Sequence, residues 1–64
     1  MDHANAIIPS RIIALLEEYP ATSDELADWM DEPKGIILVH LIRLRQHGRI
    51  VSRDGLWRTP TNAE

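Results

Sequence analysis

TSDELADWMDEPKGIILVHLIRLRQHGRIVSRDGLWRT, residues 22–59, carries the fold in its turn residues and its apolar spacing. Thr22 is followed three residues on by Glu25, a pairing in which a hydroxyl and a carboxylate each satisfy a backbone N–H of a helix's first turn. Asp24 adds negative charge at the positive end of that helix. Leu26 and Met30, with Ala27 between them and Trp29 at the edge, predict a short amphipathic helix that ends near Asp31, because Pro33 follows. A longer helix is predicted from Lys34 to His47, with Ile37, Leu41 and Leu44 on its inner face and Gly48 as a left-handed cap. Asp54-Gly55 then reads as the two-residue turn of a β-hairpin. In that register Ile50 and Ser52 share a face with Trp57 and Thr59, while Val51, Arg53, Leu56 and Arg58 point the other way.

Upstream, a further helix is predicted from Pro9 or Ser10 to Glu18 or Tyr19. Proline suits a first helical turn, where its missing N–H is not needed. Ile12, Leu15, Leu16 and Tyr19 make its apolar stripe, and Pro20 stops it. The chain therefore divides into a flexible arm (1–8), a folded domain (9–59) and a polar tail, PTNAE (60–64). The fold class is α+β and mostly helical: three helices followed by a small antiparallel hairpin.

Sixty-four residues make one small domain, and such a chain hides only about 60% of its unfolded surface. No cysteine is present, which excludes a disulfide framework and a thiolate metal site and fits a reducing compartment. The start, MDHANAIIPS, lacks a basic region and a long apolar run. The greasiest stretch, Gly35 to Ile42, contains His40 and is too short to cross a bilayer. A soluble cytoplasmic protein is expected, with no membrane partner.

Chemistry has little to work with. Ser10, Ser23 and Ser52 are scattered among cap, loop and strand with no histidine poised by spacing. His40 and His47 lie on one side of a helix with no third ligand nearby, so no metal is expected. A domain this thin offers no deep cleft for a small molecule or cofactor, and an enzyme is not expected.

The net charge of −3 hides an asymmetry. Residues 1–33 hold eight acids and one base, a charge of −7, whereas residues 34–64 hold six bases and two acids, a charge of +4. A basic half is what polyanion binding needs, although a solvated bipolar surface has the same composition.

The opening Thr22, Glu25, Leu26, Ala27, the close Leu41, Leu44, Gly48, Ile50 and the turn Asp54-Gly55 resemble the winged helix-turn-helix superfamily of bacterial and phage regulators. The resemblance covers about residues 10–59. It implies a three-helix winged helix-turn-helix with a C-terminal two-stranded wing, acting as a small transcriptional regulator on double-stranded DNA with its third helix as reader. Carried onto this chain, the contact positions are Lys34, Gly35, Ile36, Val39, Arg43 and Gln46 on that helix, and Arg53 and Arg58 on the wing. Arg43 and Arg53 are the foremost phosphate anchors.

This chain departs from the regulators at the reading positions, which are normally polar. Gly35, Ile36, Val39 and Ile42 offer bases no hydrogen bond. Three readings stay open: methyl groups meeting thymine methyls, a protein or homodimer interface built from Ile36, Val39 and Ile42, or cover by the arm Ala4–Ile8. Two arginines also have structural readings, Arg45 paired with Asp28 and Arg58 lying along Trp57. Both tryptophans are expected to serve packing.

Overall fold

The computed structural model describes the backbone of residues 3–60 and the side chains of residues 7–60. The order is α1 (His3–Glu18), α2 (Ser23–Met30), α3 (Lys34–Gln46), β1 (Val51–Arg53) and β2 (Leu56–Arg58). Three helices and a two-stranded antiparallel sheet give an α+β, mostly helical domain.

Local chemistry sets most boundaries. The Thr22 hydroxyl accepts from the Glu25 N–H at 3.1 Å and the Glu25 carboxylate accepts from the Thr22 N–H at 2.9 Å, the reciprocal cap that starts α2. Helix α2 ends where Asp31 turns left-handed, with φ of 56°, and Glu32 N–H donates to Ala27 C=O at 3.1 Å. Helix α3 starts directly after Pro33 without a side-chain cap. It closes on Gly48, φ 74°, through Gly48 N–H to Arg45 C=O at 3.0 Å and Arg49 N–H to Leu44 C=O at 2.9 Å. That pair of bonds satisfies the Leu44 and Arg45 carbonyls at the helix end, and glycine takes up this left-handed backbone with no Cβ to crowd it.

The hairpin follows the predicted register: Val51 opposite Arg58, Ser52 opposite Trp57, Arg53 opposite Leu56. Asp54 and Gly55 both have positive φ, 55° and 80°, which matches the twist of the flanking strands. In such a pairing Ser52 and Trp57 face each other without exchanging bonds, so the Trp57 backbone groups point outward. They meet Ala21: Trp57 N–H donates to Ala21 C=O at 2.8 Å, and Ala21 N–H donates to Trp57 C=O at 3.1 Å. This bridge ties the loop between α1 and α2 to β2, an attachment that spacing alone did not announce.

The core is Ile12, Leu16, Ala21, Leu26, Ile37, Leu41, Leu44 and Ile50, all buried, with Ile8, Ile13, Leu15, Ala27, Met30, Leu38 and Trp57 packed around it. Each element of the predicted stripes contributes, with two corrections. Helix α1 begins at His3, so residues 3–8 of the expected arm are helical, and Pro9 lies inside the helix. Pro9 removes a single N–H, nearly two turns from the start, and the helix runs through it. Tyr19 is 64% exposed rather than core, because it follows the last residue of α1 and precedes Pro20, which turns it out of the helical stripe. Residues 1–2 of the arm and 61–64 of the tail lie outside the described residues.

Two substitutions test this account. Thr22→Ala breaks the reciprocal cap and is expected to lower unfolding free energy by about 1 kcal/mol in urea titrations. Leu41→Ala opens a cavity at the centre of α3 at a cost of roughly 2–5 kcal/mol, read by circular dichroism as a melting temperature lower by about 10 °C or more.

Candidate functional site

Helix α3 buries Ile37, Leu41 and Leu44, and among the described residues its opposite face is exposed. With Ile37, Leu41 and Leu44 buried, helical geometry directs Gly35, Val39, Ile42 and Gln46 to the far side, with Ile36 and Arg43 along one margin. Ile36, Val39 and Ile42 are exposed by 43, 48 and 42%. The arm does not cover them by way of the two side chains described in it: Ile7 itself faces solvent, and Ile8 packs onto the core. Gly35 stands beside this face with nothing within 4 Å of the position its Cβ would take. No internal packing requires glycine there.

The cations around this face fall into distinct environments. Lys34 Nζ lies 3.0 Å from Asp24 Oδ1, an ion pair linking the first turns of α3 and α2. Both groups are largely exposed, so the pair contributes little and opens easily to a competing anion. Arg43, Arg49 and Arg53 are exposed and have no carboxylate within 4.0 Å among the described residues. Arg45 lies over the Trp57 ring, 5.8 Å from its centroid, within the range at which a guanidinium is attracted to an aromatic face. Trp57 is thus held by its backbone to Ala21 and beneath Arg45, and it packs against the core as expected. The expected pairing of Arg45 with Asp28 does not form, nor does Arg58 take the place over Trp57. Arg45 follows Leu44 by one position and so leans toward the hairpin, which brings it to the ring first.

Arg58 is half-buried on the opposite strand face, in a shallow cleft with Leu16, Glu17, Glu18, Pro20 and Thr59. Its Nε is buried and has no hydrogen-bond partner among the described residues. The two glutamates at the end of α1 weaken Arg58 as a phosphate contact, and of the two hairpin arginines Arg53 is the freer. Trp29 is exposed on α2, a rim position.

Glu17 and Glu18 border Arg58 and Asp54 adjoins Arg53, while five further acids belong to α2 and the turn after it. Asp24, Glu25, Asp28, Asp31 and Glu32 line α2 and the turn after it, and Asp28, Asp31, Glu32, Ala27 and Pro33 border an open depression there. Among the described residues no helix is long and apolar enough to cross a membrane. No protein-family model, curated protein or solved structure matches the chain.

Gly35 gives a direct check on whether the bare face has an internal role. Since an added methyl meets nothing and alanine is the better helix former, Gly35→Ala is expected to raise stability by on the order of 0.5 kcal/mol, seen as a higher melting temperature.

Proposed function

We propose that the domain is a winged helix-turn-helix that binds double-stranded DNA, a small transcriptional regulator of the bacterial or phage type. Helix α3 enters the major groove, and the β1–β2 hairpin serves as the wing along the backbone. The observation that carries this reading is the placement of the arginines. Arg43, Arg45 and Arg49 follow one another over the last turns of α3 and its cap, and Arg53 stands at the hairpin tip, with no ion pair to any of them among the described residues. In a chain of net charge −3, cations left without acids at one end, and acids collected on α2, favour a polyanion on the basic side. Lys34 joins them by exchanging Asp24 for a phosphate. Lys34, Arg43 and Gln46 are the exposed side chains of this region able to hydrogen-bond a nucleic acid.

A second reading has its own support. Ile36, Val39 and Ile42 form an exposed branched-aliphatic surface, and such surfaces on small domains mark protein contacts. On that reading the domain is an interaction module, pairing with a second copy or another protein.

Fluorescence anisotropy with mixed-sequence duplex DNA separates the two. Four engaged cations give an affinity that falls roughly 100-fold between about 50 and 200 mM salt. Arg43→Glu and Arg53→Glu are each expected to weaken binding and to reduce the salt slope by about 1. Absence of binding at the lower salt, together with self-association that Val39→Asp abolishes, would transfer the function to the protein-interaction reading.

A further inference from the structure

We propose that α3 recognises the C5-methyl groups of pyrimidines in the major groove, those of thymine or of 5-methylcytosine, an inference that rests on the DNA-binding reading above. The outward surface of α3 between residues 35 and 42 is Gly35, Ile36, Val39 and Ile42, and none of these side chains carries a donor or acceptor. Base readout there cannot use the hydrogen-bond code. The apolar group that a base pair shows in the major groove is the methyl on C5, and aliphatic side chains pack against it.

Discrimination works from both directions. A methyl buried against Val39 or Ile42 leaves water. Uracil or unmethylated cytosine shows only C5–H there, so the same side chains cover less apolar surface and leave a gap. From Ile36 to Ile42 the helix rises about 9 Å, which spans roughly two to three base steps of about 3.4 Å. The contact therefore covers a short run of two or three methyl-bearing steps. Gly35 fits this use: with open space where its Cβ would stand, the first turn of α3 has no side chain to hold the helix off the groove floor.

Charge selects DNA over an apolar protein as the occupant of this face. Arg43 runs along its margin, and Arg53 stands on the hairpin, both without an acid partner among the described residues. An apolar strip edged by guanidinium groups complements a methyl-lined groove floor lying between two rows of phosphates.

The test compares the affinity of the full chain for an alternating A·T duplex with that for the same duplex carrying uracil in place of thymine. It also compares a G·C duplex carrying cytosine with one carrying 5-methylcytosine. Burial of one methyl corresponds to about a fourfold change in affinity, so two or three contacts predict a loss of at least roughly tenfold on removing the thymine methyls. The gain on methylating cytosine is expected to be similar. The double variant Val39→Ala/Ile42→Ala, at two exposed helical positions, is expected to erase both differences while keeping its circular dichroism and the salt slope of binding.

Equal affinity for thymine and uracil duplexes, with the salt slope intact, would overturn the methyl inference and leave DNA binding standing. Failure to bind any duplex would overturn both. Self-association that competes with duplex and is broken by Val39→Asp would assign the face to a second copy and sink the methyl inference.

Discussion

Two hydrogen bonds between Ala21 and Trp57 hold the architecture closed. They run in both directions between the loop after α1 and the middle of β2, and without them the hairpin would be a two-stranded ribbon of three residues a side, too small to persist alone. The bridge sets β2 against α1, and Ile50, just ahead of β1, joins Ile37, Leu41 and Leu44 in one core with Ile12 and Leu16. Ala21 is fully buried at this junction. A larger side chain there would push apart the two segments that the backbone bonds draw together, and the position is read best as a spacing constraint.

The same bridge determines how the candidate surface is presented. Fixing Trp57 fixes the ring on which Arg45 rests, and it sets the hairpin beside the end of α3. Arg43, Arg49 and Arg53 follow in the chain from the last turns of α3 to the hairpin tip, all exposed. The acids of α2 stand apart, anchored by the reciprocal Thr22–Glu25 cap and joined to α3 through Lys34 and Asp24.

What the sequence made legible were features fixed within a few residues. The Thr22–Glu25 cap, the glycine at the end of α3 and the Asp54-Gly55 turn each depend on local backbone chemistry, and each is present as read. The inner face of α3 was legible for a similar reason, since one helical period defines it. The misread features need knowledge of the chain elsewhere. Pro9 signals a helix start locally, yet α1 extends six residues before it. Tyr19 keeps the period of the buried stripe but sits past the helix end. Arg45 over Trp57 and Ala21 against Trp57 join segments 12 and 36 residues apart, and no local pattern records such pairings. At the candidate site, spacing located the exposed aliphatic face of α3 and the free arginines. Any partner for them would be a property of a second molecule, and helical periodicity has no term for it.

Strand β1 has a further consequence for the behaviour of the chain in concentrated solution. Its outer edge carries backbone groups that no neighbouring strand takes up, since β2 lies on one side and the sheet has two strands. An open edge is a template on which another chain can add. Here it is only Val51–Arg53 long, begins just after Arg49, ends in Arg53, and turns at once through Asp54-Gly55. Short length, flanking arginines and tight curvature discourage edge-to-edge growth, so the residues that charge this end of the hairpin also keep it from polymerising with itself.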